Sequence, residues 1–232
     1  ALYLDLAAHY DVDFIQTCLI GFQPGRHQPW TASEAGEAVR LIGIATGGCF
    51  CPHCRAAAEA QGLNWDAIVE RLRWYAEGFD PYNHRQAFEL RLLRNSSTSA
   101  AALLAEIPEL YAFLRFRTRS LTDFFREISD TVHEARSGID LRLNHFASYP
   151  ALMGLDLKAV GSLMDSVRSS NYAEQTGDPA QMDFKRAYLH SVRRAVGLDT
   201  YFLSAISPRP QATPELVKRG IRISAECGAD AL

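Results

Sequence analysis

Three cysteines in six positions, Cys49-x-Cys51-x-x-Cys54 within "TGGCFCPHCR" (46–55), are the residues whose types and spacing are best suited to chemistry. Zinc takes four ligands in a tetrahedron, usually thiolate or imidazole. Cys51-x-x-Cys54 is the usual chelating pair, and Cys49 can turn its sulfur to the same point in a tight turn. The best-placed fourth ligand is Cys18, near the C-terminal end of an expected strand. His53 is the alternative, although its adjacency to Cys54 makes joint ligation awkward. Four thiolates would make a closed, structural site with no open position for water. A redox pair would sit at the strand-to-helix step of a thioredoxin-like unit, a context the neighbouring residues lack. The spacing matches neither common ferredoxin pattern. Three free thiols are the plain alternative, and Cys227, on the apolar face of the last helix, reads as an ordinary buried thiol.

A second set of candidates gathers where apolar runs end. Asn144 and His145 close one run, and alternation should point one of the pair into a pocket. Asn171, Tyr172 and Glu174 follow another. Amide and imidazole groups suit the hydroxyls of a sugar, His145 could relay a proton, and Tyr172 offers a ring for stacking. Glu174 is the candidate acid, and it is expected to share one cleft with Asn144 and His145. Trp30, with Arg26 and His27, lies on the loop after the first expected strand and could line the same pocket.

Those positions presuppose a repeating element order. Helical spacing opens the chain, and "VDFIQTCLIGF" follows as a strand. Further strands are expected over 138–146, 165–172 and 200–206, with "ADAL" starting a fifth. Between them lie a long amphipathic helix over 107–135, a short one in "DLKAVGSLM", and one closed by Gly197. The last helix has Thr213 at its N-cap, Pro214 at N1 and Gly228 past its end. Strands alternating with helices mean an α/β fold with a parallel sheet. No Gly-rich phosphate loop follows any strand, and polar residues collect at strand C-terminal ends, the working face of a barrel. The expected fold is therefore a partial (β/α)8 TIM barrel, read as one domain over 1–232. Residues 21–107 would be a long insertion after the first visible strand, carrying the cysteines and helices around 65–77 and 84–94.

With 232 residues, 47% of them hydrophobic, the chain can bury a substantial core. With a formal net charge of -3, nothing in the composition is basic enough to indicate nucleic acid binding, and none is expected. No apolar run reaches the length of a membrane span. Clustered cysteines in odd number fit a reducing, cytoplasmic compartment better than a disulfide framework. The chain opens at Ala1 inside a helix and ends on a strand start, so it is expected to be a piece of a longer protein.

A strand-end cysteine followed by Cys-x-Cys-x-x-Cys leading into a helix resembles the zinc clip of family 42 β-galactosidases and related barrel glycosidases. "GCFCPHCRAAAEAQGLNWDAI" (48–68) resembles a phrase common in glycoside hydrolase-like barrel proteins. "LYAFLRFRTRSLTDFFREISDTVHEA" (110–135) is similar to the helix before the fifth strand in that clan. The resemblance spans roughly residues 10–232, as barrel strands four to seven and the start of the eighth. It implies a carbohydrate ligand or substrate and a structural zinc. It also implies an Asn-Glu pair just before the cluster and a nucleophilic Glu at the seventh strand's end. "LIGIATGG" and "FLSAISPRP" carry no carboxylate at those places. The expected function is a glycoside hydrolase-like barrel, with a non-catalytic sugar- or small-ligand-binding barrel as the alternative. The oligomeric state is not legible.

Overall fold

Four short strands, β1 (Phe14–Thr17), β2 (Asp140–His145), β3 (Ser166–Ser169) and β4 (Tyr201–Ser204), form one parallel sheet in the order β1-β2-β3-β4. The structure is a computed structural model, and it describes residues 1–18, 20–22, 37–77, 99–145, 150–209 and 211–232. The expected α/β class with a parallel sheet is what it has. The expected fifth strand is present as one parallel bridge, Leu203 to Ala231. Each strand is shorter than its apolar run, because only the residues in register with a neighbour can complete the ladder of hydrogen bonds.

The helices are α1 (Leu2–His9), α2 (Glu37–Thr46), α3 (Pro52–Ala60), α4 (Trp65–Glu77), α5 (Ala100–Glu106), α6 (Pro108–Ala135), α7 (Leu157–Gly161), α8 (Ala180–Val196) and α9 (Pro214–Glu226). Their starts are written locally. Thr213 Oγ1 accepts from Leu216 N at 3.3 Å with Pro214 in the first turn, as its sequence position predicts. Asp156 and Ser99 cap α7 and α5 in the same way, each cap contributing about 1 kcal/mol. Gly197 (φ 84) ends α8, where its N–H reaches Arg193 O. Among the described residues no helix is long and apolar enough to cross a membrane. The helix expected over 84–94 lies outside the described residues, as do Arg26, His27 and Trp30.

By contacts the chain divides into two compact units. One comprises Ala1–Ile20, Thr122–Pro150 and Leu155–Leu232 and holds the sheet. Side chains alternate across each strand. Ile15, Leu141, Leu143, Val167 and Phe202 are buried together with Phe125 and Val132 of α6, Leu189 and Val192 of α8, and Ile223 of α9. The opposite sheet face is polar and part-open. Its last row, set by register, runs Cys18, Asn144, Arg168, Leu203, with Asn144 paired to Arg168 and Arg168 to Leu203.

The other unit comprises Gly21–Leu121 and Ala151–Gly154. Its core is helical. Leu41, Ile42 and Ala45 of α2, Trp65, Ile68 and Leu72 of α4, Leu103 of α5, and Leu110, Phe113 and Leu114 of α6 are all buried in one cluster. Those positions recur every three or four residues on each helix, which is the one-sided stripe that packs a helix.

Candidate functional site

The helical unit positions the cysteines through their neighbours. Cys51 is the N-cap of α3 and Pro52 its first residue, so the chain must turn from loop to helix between Cys51 and Cys54. Phe50 anchors that turn: its ring stacks on Phe113 at 5.6 Å and meets Trp65 at 5.9 Å. The ligand atoms of Cys49, Cys51 and Cys54 lie within 4.8 Å of one another. Zinc–sulfur bonds of ~2.3 Å in a tetrahedron set sulfurs ~3.8 Å apart, so small side-chain adjustments bring these three onto one ion.

The thiols are electrostatically coupled. Cys51 makes no side-chain cap hydrogen bond within ordinary geometry. Even so, the Cys54 amide at the helix start, then the Cys49 and Cys54 thiols, draw its pKa down to about 7. Burial, then the thiols of Cys49 and Cys51, push Cys54 up to about 12. One thiolate therefore forms readily and the next resists, until a cation placed between them neutralises the charge. The three thiols are a group that could hold a metal ion, and His53 is not within it.

Arg117 of α6 is a second electrostatic element near this turn. It is 2% exposed. Its guanidinium lies 4.1 Å from the Phe22 ring centroid and 5.5 Å from that of Phe113. Nη1 donates to Ile44 O at 2.8 Å, at the negative end of α2. Among the described residues its Nε and Nη2 have no hydrogen-bond partner. Burial draws its pKa down to about 10, and the Cys54 charge acts against that shift. A Cβ at Gly48 would meet Arg117 Cζ and Nη1 at 3.2 Å, so the "GG" before Cys49 is where the loop passes close over this plate.

Cys18, expected as the fourth thiolate, belongs to the sheet unit. It is exposed at the end of β1, with Asn144 Nδ2 3.5 Å from its sulfur. The sheet's C-terminal edge brings several other expected residues together. Asn144 Oδ1 accepts from Arg168 Nη1 at 3.0 Å and from Ser170 Oγ. Arg168 Nη1 also donates to Ser170 Oγ at 2.7 Å, and Nη2 to Tyr172 OH at 3.2 Å. Burial pushes the Tyr172 phenol up, but hydrogen bonds with Ser170 and Arg168 and the charges of Arg168 and Arg209 outweigh it, leaving the pKa below the ordinary value.

Glu174 and His145 lie elsewhere. Strand alternation puts Asn144 on the part-open face and His145 on the helix side. There His145 is 2% exposed and stacks on Tyr188 of α8 at 5.7 Å. Glu174 is fully buried in a 3-10 turn after β3. It accepts from Lys185 Nζ at 2.9 Å and from Ser207 N at 2.9 Å. Lys185 Nζ also donates to Asn171 O and Ala205 O, so Asn171 acts here through its backbone. The expected cleft shared by Glu174, Asn144 and His145 does not form: Asn144 faces the part-open side of the sheet, while His145 and Glu174 are both buried against α8.

Sequence reasoning missed Arg168, Ser170, Lys185 and Arg117. Arg168 had only the signal of strand alternation, which sets it opposite Val167; that it stands beside Asn144 is decided by the register. Arg117 had none, because its spacing on α6 looks like that of any solvated arginine. Comparison with protein-family models, with curated proteins and with solved structures finds no match for the chain.

Proposed function

We propose that the chain is part of a (β/α)8-type barrel protein that binds a small carbohydrate at the C-terminal edge of β1–β4, and that the three-cysteine turn holds a structural zinc ion. The observation that carries the reading is the hydrogen-bonded group of Asn144, Arg168, Ser170 and Tyr172 at that edge. Ligands of parallel α/β folds sit outside the carboxyl ends of the strands. The consecutive order β1-β2-β3-β4 supports the barrel, because a doubly wound sheet reverses its strand order where it binds its ligand. Amide, guanidinium and phenol groups suit sugar hydroxyls, and Tyr172, 36% exposed, leaves part of its ring available for stacking.

Binding is favoured over hydrolysis by the placement of Glu174. Glycoside hydrolysis generally uses two carboxyl groups, ~5–5.5 Å apart for retention and ~6.5–9.5 Å for inversion. Glu174 has no solvent-facing surface and is already bonded to Lys185 and Ser207.

The test is calorimetric titration with a panel of mono- and disaccharides, beside turnover of nitrophenyl glycosides. The expected result is saturable binding of at least one sugar, lost in Asn144→Ala, with no turnover. Turnover abolished by Glu174→Gln would restore the hydrolase reading. No sugar binding in either the parent or the variant would remove the carbohydrate reading.

A further inference from the structure

We propose that the C-terminal edge of β2–β4 is an oxyanion site, in which Arg168 and Arg209 take the carboxylate or phosphate of a small polyhydroxylated ligand while Asn144 and Tyr172 orient it. The inference deepens the carbohydrate reading and rests on it for the polyhydroxylated part alone.

Arg168 projects from the next-to-last position of β3 onto the part-open face, beside Asn144 of β2 in the register. It is half-buried, and among the described residues its hydrogen bonds go to neutral groups: Asn144, Ser170 and Tyr172. The acids of the surrounding strands and turns are engaged elsewhere. Asp140 is paired with Arg142, and Glu174 with Lys185. Among the described residues neither Arg168 nor Arg209 makes an ion pair. Arg209 follows β4 and is exposed. β4 is the neighbour of β3 and parallel to it, so Arg209 leaves the same C-terminal edge of the sheet as Arg168, and its charge acts in the same direction as that of Arg168 on the Tyr172 phenol.

A guanidinium held part-way out of water by neutral acceptors keeps an unbalanced charge. An oxyanion is the complement that balances it, through short charge-assisted hydrogen bonds that arginine makes in pairs. The Asn144, Ser170 and Tyr172 contacts hold the guanidinium plane in place, so little side-chain entropy is lost when a ligand arrives. Asn144 Nδ2, whose described contact is the long one to Cys18 Sγ, remains a donor for a ligand hydroxyl.

The experiment is calorimetric titration of the chain at low, constant ionic strength with inorganic phosphate, D-glucuronate, D-glucose 6-phosphate and neutral D-glucose. Arg168→Met and Arg209→Met are run beside the parent. At least one of the three anions should bind saturably and tighter than glucose. Arg168→Met should weaken that binding about tenfold or more, the scale of losing a charge-assisted bond. Arg209→Met, at an exposed position, tests the same site if Arg168→Met fails to fold, and should weaken binding in the same direction. A preference for glucuronate over both phosphate compounds assigns a carboxylate, and the reverse assigns a phosphate. Absence of saturable binding by all three anions overturns the proposal, as does binding unchanged in both variants. Glucose binding equal to that of the anions and indifferent to both variants sinks the oxyanion site and leaves the carbohydrate reading standing. Phosphate binding that depends on Arg168, with neither sugar acid, sugar phosphate nor glucose binding better, does the opposite.

Discussion

Lys185 Nζ stands 2.9 Å from Glu174 Oε2, and both side chains have no exposed surface. The ammonium also donates to Asn171 O and Ala205 O, and the carboxylate accepts the Ser207 amide. One ion pair therefore joins the turn after β3, the turn after β4 and the middle of α8. Burial holds the Lys185 pKa below the ordinary lysine value, while Glu174 pulls it back up.

Removing one partner of that pair leaves the other charged and buried. Lys185→Met is expected to destabilise the chain by roughly 3–5 kcal/mol, the usual cost of stranding a buried charge. Glu174→Gln should cost less, because its amide oxygen can still accept from Lys185 and Ser207. Urea midpoints of the two variants check the order. Equal, small losses would mean that the pair carries no such weight.

Zinc added to the chain is expected to bind one ion per chain at Cys49, Cys51 and Cys54, read by elemental analysis after desalting. Those thiols should resist alkylation when zinc is present and react once a chelator removes it, because the metal holds them as bound thiolates. Cys54→Ser should abolish retention. Cys18→Ser tests the expected fourth ligand: a large loss of affinity assigns it, and an unchanged affinity leaves the fourth position to another donor.

Arg117→Met is expected to lower zinc affinity about tenfold or more, which is the scale of removing a supporting group behind metal ligands. The cation's charge interacts with Cys54, and among the described residues two of its nitrogens, Nε and Nη2, have no hydrogen-bond partner. Competition against a chromophoric chelator measures the effect. Metal-free stability, followed in parallel by urea, should change less than affinity does. A loss confined to metal-free stability would make Arg117 a packing residue only.

Tyr188 gives a prediction for alkaline pH. Burial pushes its phenol well above the ordinary tyrosine value, and its hydroxyl donates to His145 O at 3.2 Å. A group whose pKa is raised on folding contributes stability that is whole below its unfolded pKa, near ~10, and is lost as pH climbs from there. Tyr188→Phe forfeits the hydrogen bond, costing about 1 kcal/mol at neutral pH. It also removes this alkaline loss, so the two proteins' stabilities should converge above pH ~10. A constant gap between pH 8 and pH 11 would contradict the assignment.

Much of the local structure was legible in the sequence. Thr213 and Pro214 start α9 because the cap and the fixed proline φ act within one turn. The parallel sheet followed from the alternation of strand runs with helical stripes. The nearness of Cys49, Cys51 and Cys54 followed from spacing, since six residues across a loop-to-helix turn cannot spread far. That Asn144 and His145 would face opposite ways is a property of any strand.

Which of those faces is covered depends on elements far along the chain, and only the tertiary structure decided it. His145 is under Tyr188 because α8 packs there, which leaves Asn144 for the part-open side. Glu174 read as a free acid at a strand end until Lys185 folded back to meet it from α8. Arg117 sits on α6 at a spacing like that of any solvated arginine, yet two aromatic rings and the end of α2 close around it. Caps, turns and periodicity are set by interactions within a few residues, so they can be read in order along the chain. Burial of a charge, and the partner that compensates it, are set by which distant surfaces meet, and no spacing within one element records that.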